Sequence, residues 1–462
     1  MSTDLHWMTA RALGPMFRRG DCSPSEVTNA LLARITALDP TLRAFVRLDE
    51  AGARGAARQA QDELRAGADR GPLHGIPMAV KDLCAVRGMP HTAGSPARAD
   101  LVPDDDSTVV ARLREAGAVL LGTLQMTEGA YTHHHPSVVP PRNPWNAARW
   151  TGISSSGPGV ATAAGLCVAS LGSDTGGSIR FPSAANGLVG LKPTHGRVPL
   201  HGVAELAYSL DHVGPMARSV ADAALVLDAI AGFDQRDRHA RRAAPPRAAA
   251  ALDDGVRGLR IGIDEAFAHE GQDPAIVTPI LACAEVLRDA GAEIVPVRVP
   301  NFPHVAECWL PICAAECAAA HAALYPARRD EYGPELAQLL DFGRGVSPAE
   351  LAQALLLRRE AREHFDAVLE GADLLLCPTL GVPVPPAALD WLALDTVGAL
   401  VRFTGPFDLT GHPTISVPCG FAADGMPLGL QLVGRHLEEA TLCRAAHAFE
   451  CATPWKDRHP PL

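Results

Sequence analysis

Gly152-Ile153-Ser154-Ser155-Ser156-Gly157 and Asp174-Thr175-Gly176-Gly177-Ser178-Ile179-Arg180 are two serine-bearing glycine loops, with Ser154 and Ser178 only 24 residues apart in a chain of 462. The small residues over 160–169 predict a helix between them, whose slim surface lets neighbouring backbone come close. The stretch therefore reads as loop, helix, loop. Upstream, Gly75-Ile76-Pro77-Met78-Ala79-Val80 reads as a short buried strand that delivers Lys81 and Asp82 at its end.

Further out, the pattern alternates between helix and strand. Ser23-Pro24-Ser25-Glu26 is a capping box with proline at the first helical position, followed by Val27, Leu31, Leu32, Ile35 and Leu38 at helical spacing. Helices are expected over 50–66, 107–116 and 219–231, and strands over 118–122 and 188–191. An aperiodic, proline-rich stretch over 136–150 reads as an ordered loop leading into the first serine loop. Beyond a polar stretch at 234–257, strand signals at 259–263 and 293–297 flank a helix expected over 274–290. Later strands are expected over 374–377, 414–417 and 428–433, the last entered through a turn at Asp424-Gly425. No internal repeat or low-complexity tract interrupts the pattern.

This alternation predicts an α/β fold: one large α/β/α domain over 1–462, with a twisted mixed sheet flanked by helices. Within it, a core at about 70–232 and a C-terminal half are joined by a surface connector at about 234–257. Helices over 302–363 are expected to roof the pocket, with Trp309, Tyr325 and Phe342 among their shaping residues.

The formal charge of -11 argues against a nucleic acid or an anionic membrane surface as partner, since both favour a basic face. No stretch approaches the roughly 18 apolar residues of a membrane span. Asp4, Arg11 and Arg18 break the start where a signal peptide needs an apolar run, so a soluble cytoplasmic protein is expected. The 11 cysteines lack any CxxC pair and suit a reducing compartment. Lysine occurs only at 81, 192 and 456 while arginine is plentiful, which singles out a lysine kept inside an apolar segment.

Amide cleavage needs a nucleophile, a base and donors for the developing oxyanion. Ser178 follows Thr175-Gly176-Gly177, where missing side chains let backbone N–H groups converge, and is the expected nucleophile. No histidine stands in a pairing motif near these loops, which leaves Lys81 as the base, provided it is neutral. At the ordinary pKa of about 10.4, about one lysine in 2,500 is neutral at pH 7; lowered to about 7.5, about a quarter are. Ile76, Met78, Val80, Leu83 and Val86 supply an apolar setting for such a shift.

The segment 152–183, together with Lys81, resembles the amidase signature family almost position by position. The resemblance extends to Gly75-Ile76-Pro77, Arg142-Asn143-Pro144-Trp145, Gly190-Leu191-Lys192-Pro193-Thr194 and 425–434. It implies a Ser-cisSer-Lys triad: Ser178 attacks the carbonyl, Ser154, held in a cis peptide, relays the proton, and Lys81 is the ultimate base. It implies an oxyanion hole at Thr175, Gly176, Gly177 and Ser178, support of the triad by Ser155, Ser173, Asp174 and Arg180, and no metal or organic cofactor. Ile153 stands where the family usually has glycine and Pro158 where serine is common.

The expected substrate is a small-molecule aryl or alkyl amide, with a carbamate also open to the same machinery, and homodimerisation is left open. Met126, Glu128, Tyr131 and His133 are expected to touch it. An A subunit of a tRNA-dependent amidotransferase is the alternative, weakened by the lack of an Arg-rich, Gly-Thr-Tyr segment near 342–347. Other motifs have blander readings. Residues 152–157 lack the Lys-Ser/Thr pair of a phosphate loop, and a G-x-S-x-G elbow is absent. Adjacent His133, His134 and His135 cannot all face one metal, and are expected to be a solvated loop, with lining of the pocket as the alternative. Cys313, Cys317 and His321, at i, i+4 spacing, read as a buried helix stripe, and Lys192 as a structural contact.

Overall fold

The computed structural model describes residues 4–300, 305–388 and 394–462. Eleven strands are formed: β1 (Phe45–Leu48), β2 (Pro77–Lys81), β3 (Val119–Leu124), β4 (Ala169–Asp174), β5 (Val189–Lys192), β6 (His212–Ala217), β7 (Arg260–Ile263), β8 (Glu293–Pro296), β9 (Leu374–Pro378), β10 (Thr414–Phe421) and β11 (Pro427–Gly434). They make one mixed sheet in the order β1-β3-β2-β4-β6-β5-β10-β11-β9-β7-β8, flanked by helices. β2 lies parallel between β3 and β4. β4, β6, β5, β10, β11 and β9 then pair antiparallel in succession. Most central strands are buried along their whole length, as sheets covered on both faces require.

The capping box at Ser23 and Glu26 is present, and the Pro24–Leu42 helix follows it. The helix expected over 160–169 is displaced: it runs Ser156–Ala163, and Ala169–Asp174 is instead β4. Gly165, at φ 66, lies in the left-handed region just past the helix end and stops it there. The motif is thus loop, helix, strand, loop, and a strand aims the second loop. The helix expected over 274–290 is two, Pro274–Ala282 and Ala284–Asp289. The break falls four residues after Pro279: the Cys283 N–H donates to Ile280 O, while the Pro279 carbonyl takes the Cys283 thiol.

β6 was not expected, because Gly214 and Pro215 interrupt it and proline argues against a central strand. It lies nevertheless between β4 and β5, with Pro215 outside the short ladder that Met216 and Ala217 form with β5. The polar 234–257 stretch carries one short 3-10 turn and is pinned to the body, since Asp237 accepts from the Leu200 N–H at 2.7 Å. No helix among the described residues is long and apolar enough to cross a membrane.

Candidate active site

Lys81 is the last residue of β2, and its side chain is fully buried. Its Nζ donates to Ser154 Oγ at 2.7 Å and to Ser173 Oγ at 2.8 Å. Burial lowers the ammonium from its usual 10.5 to about 7, with Cys84, Asp174 and Asp211 pulling the other way. A free-amine form is therefore well populated near neutrality. Ser155 Oγ accepts from the Ser173 N–H and donates to the Ser173 carbonyl, both at 3.2 Å, so the first loop is sewn to the end of β4. Gly172 makes this approach possible: a Cβ there would lie 2.9 Å from Ser155 Oγ. The Ile153–Ser154 peptide is cis.

The second loop folds around one carboxylate. Asp174 accepts from the N–H groups of Gly177 (2.6 Å), Ile179 (3.0 Å) and Arg180 (3.3 Å). Burial opposes its ionisation, but the Arg180 guanidinium, donating at 2.9 Å to both carboxylate oxygens, holds it well below the usual carboxylate range. Arg180 also donates to Asp408 Oδ2 (2.6 Å), the Thr404 carbonyl (3.1 Å) and Gln431 Oε1 (3.0 Å), with no surface exposed. Gly177 turns at φ 137, and a Cβ there would strike the Phe181 ring at 2.4 Å.

Two side chains from the C-terminal half fix the loop's peptide planes. Trp309 Nε1 donates to the Thr175 carbonyl and Thr404 Oγ1 to the Gly176 carbonyl, each at 2.7 Å. Thr175 Oγ1 donates to the buried Asp211 carboxylate at 2.6 Å. With those carbonyls engaged, the N–H groups of Thr175, Gly176 and Ser178 have no acceptor among the described residues. The Gly177 N–H is different: expected as an oxyanion donor, it is taken by Asp174 in this conformation. Ser154 is completely buried, whereas Ser178 keeps 9% of its surface open and its hydroxyl has no hydrogen-bond partner among the described residues. The arrangement offers a buried amine, a buried hydroxyl bonded to it, and a loop bearing an accessible hydroxyl beside unengaged N–H donors.

The residues expected around the substrate divide into two groups. Their loop is joined to the first serine loop by the Thr127 N–H, which donates to the Ser154 carbonyl at 3.2 Å. Met126 is buried in the core. Glu128 is a strut rather than a free carboxylate: one oxygen accepts from Ser95 Oγ at 2.6 Å and the other from the Gly333 N–H at 2.8 Å. Tyr131 and His133 are half-buried and keep surface to offer. The three histidines are not a freely solvated loop, since all are half-buried and His134 Nε2 lies 3.0 Å from Ser156 Oγ.

Of the expected roof, Trp309 stands over the 174–178 loop, while residues 302–304 lie outside the described residues. Tyr325 does not line the site; it is buried, with its hydroxyl on the Ala337 carbonyl and Asp341. Phe342 is 49% exposed on the outer surface of its helix. Cys313, Cys317 and His321 form the expected buried stripe. Asp366, His412 and His436 bring three ligand-type atoms within 4.8 Å of one another. Arg362 Nη2, 3.2 Å from His436 Nε2, already sets a cation against that lone pair, so the group is a hydrogen-bonded cluster. Thr404, Asp408, Asp211 and His212 also reach the second loop, and no local pattern in the chain marks them for it.

The family model described as Amidase matches residues 26–443. The chain belongs to the amidase signature family. AmiD of Mycobacterium tuberculosis, named as an amidase, is 42% identical over 452 residues, which cover 97% of this chain and 94% of AmiD. The A subunit of the glutamyl-tRNA(Gln) amidotransferase of Chloroflexus aggregans is 38% identical over 489 residues, covering 100% and 99%. Among solved structures, a bacterial aryl acylamidase of the amidase signature family superposes with a TM-score of 0.88 at 28% identity, over 98% of this chain and 99% of that one. Membership makes this protein an amide-hydrolysing enzyme.

Proposed function

We propose that Ser178 is the nucleophile, Ser154 the proton relay and Lys81 the base of a stand-alone amidase acting on aryl or alkyl amides. The observation that carries this is Lys81 itself, fully buried, lowered to about 7 and donating to Ser154 Oγ at 2.7 Å. The neutral amine draws a proton from Ser154, which takes one from Ser178 as its oxygen bonds to the substrate carbonyl. The carbonyl oxygen becomes an oxyanion, received by the unengaged N–H groups of the 175–178 segment. Collapse expels the leaving nitrogen, protonated through Ser154, and leaves an acyl group on Ser178. Water, deprotonated along the same chain, then releases the acid. Carbamates present the same carbonyl with an oxygen on its far side and follow the same route. Ser173 and Ser155 orient the lysine and the first loop, and Tyr131 and His133 contribute to the pocket wall. The enzyme works in the cytoplasm and needs no metal or organic cofactor.

The test is a screen of anilides, primary amides, esters and aryl carbamates on purified protein, with mass spectrometry of the adduct left by a fluorophosphonate. An adduct on any residue but Ser178, or full activity in Ser178→Ala, would overturn the reading. The 38% identity to an amidotransferase component favours a second one, release of ammonia from glutamine inside a complex. Turnover of anilides or carbamates by the isolated chain, with glutamine left untouched, excludes it.

A further inference from the structure

Lys192 ends β5 as Lys81 ends β2, and it is as deeply buried, yet the reaction above gives it nothing to do. Its Nζ donates to the His412 carbonyl at 2.6 Å and lies 3.3 Å from His212 Nε2. The other ring nitrogen, Nδ1, faces a backbone carbonyl that can only accept, so Nδ1 carries the ring hydrogen and Nε2 accepts from the amine. Nδ1 faces the Asp174 carbonyl at 3.2 Å and Asp408 Oδ1 at 3.5 Å. The other Asp408 oxygen is held by Arg180, which grips the Asp174 carboxylate.

The chain Lys192, His212, Asp174 thus ends on the residue whose carboxylate shapes the loop carrying Ser178. Two acidic groups, Asp174 and Asp408, and two basic groups, Arg180 and Lys192, share this space with none of the four exposed to water, and burial lowers the Lys192 ammonium to about 7 while it pushes the Asp408 carboxyl up. Removing one charge from such a group leaves another unbalanced in a medium that cannot hydrate it. The remaining polar groups around Lys192 are His195 on the segment after β5, His412 before β10, and Glu439 on the Glu439–Cys451 helix. Glu439 accepts from the Thr194 N–H and faces the Arg197 guanidinium at 3.4 Å, so its charge has a partner of its own.

We propose that Lys192 is a positioning residue: acting through His212 and balancing Asp408, it holds the 174–178 loop in the shape that presents Ser178 and its neighbouring N–H donors. This deepens the proposed function and rests on it.

The experiment compares Lys192→Met, Asp408→Asn and the double variant, reading kcat and KM for p-nitrophenyl butyrate and the rate of fluorophosphonate labelling, with melting curves as a check of folding. Misplaced oxyanion donors lower kcat and labelling by about tenfold to about a hundredfold and leave KM within about twofold. The double variant, with charge balance restored, recovers part of the loss. Unchanged kcat in Lys192→Met, a change confined to KM, or losses that merely add in the double variant would overturn the proposal. If Lys192→Met does not melt cooperatively, His212→Phe, which cuts the same chain without removing the charge, carries the test: the same fall in kcat supports the proposal and an unchanged kcat overturns it. Lys81→Ala and Ser178→Ala run alongside. Inactive controls with an unaffected Lys192→Met sink the Lys192 proposal alone; active controls sink the triad it rests on.

Discussion

A buried amine that must act as a base is active only in the fraction that has lost its proton, and for Lys81 the balance point is about 7. The rate is therefore expected to climb about tenfold per pH unit below pH 7 and to level off above pH 8, read from kcat/KM across pH 5.5–9.5. Lys81→Met removes the proposed base, and its turnover at pH 7.5 is expected to fall by about a hundredfold or more, with no pH-dependent rise through neutrality. The same group has an opposite effect on stability. Between its folded value of about 7 and its unfolded value of 10.5, the folded chain binds fewer protons than the unfolded one, so stability rises with pH across that window. The ammonium penalty is full below pH 7 and gone above 10.5. Lys81→Met is accordingly expected to melt higher than the parent, with the gain shrinking by about 1.4 kcal/mol per pH unit from pH 7 upward. The sequence singles out Lys81, Ser154 and Ser178 by local features, an isolated lysine after an apolar run and serines in glycine loops, and the structure brings the first two within 2.7 Å. Thr404 and His212 carry no such mark, because each reaches the second loop only after distant segments have packed.

The element that controls the site is the turn between β4 and the Arg180–Asn186 helix, and its shape depends on which peptide groups are tied down. The indole of Trp309 takes the Thr175 carbonyl, which leaves the Gly176 N–H, on the opposite side of that trans peptide, unengaged. Trp309→Phe keeps the ring over Gly176 and deletes the hydrogen bond. A fall in kcat of about tenfold with little change in melting temperature is expected, read by steady-state kinetics beside a thermal melt. Gly177→Ala is harsher. The new methyl would lie 2.4 Å from the Phe181 ring at a φ of 137 that side chains resist, so lowered thermal stability and loss of fluorophosphonate labelling are expected together. Sequence pattern located most elements to within a few residues, and its misses share a cause. Small residues over 160–169 suit a helix or a buried strand equally, and only pairing with β2 and β6 makes 169–174 extended. Gly214 and Pro215 erase the strand signal of β6 in the same way, and with it the reason to connect His212 to the site.

Across the whole molecule, the sheet brings the end of β4 near residues contributed from beyond position 400, and Arg180 is where the two halves meet electrostatically. Its guanidinium joins Asp174 to Asp408, the Thr404 carbonyl and Gln431 of β11, all out of contact with water. Taking such a cation out of water is costly, and the cost is offset only while every partner stays in place. Arg180→Met would leave two buried carboxylates facing Lys192 alone, and a loss of about 3–5 kcal/mol is expected, read from the midpoint of urea denaturation. Arg180→Lys separates charge from geometry. It restores a positive charge but replaces a planar fork with a single ammonium, which cannot serve both oxygens of Asp174, Asp408 and two further acceptors at once. Its stability should fall between those of the parent and Arg180→Met, while fluorophosphonate labelling of Ser178 stays as low as in the methionine variant. Recovery of labelling in Arg180→Lys would mean that charge alone joins the two halves, and that the fork does not shape the loop.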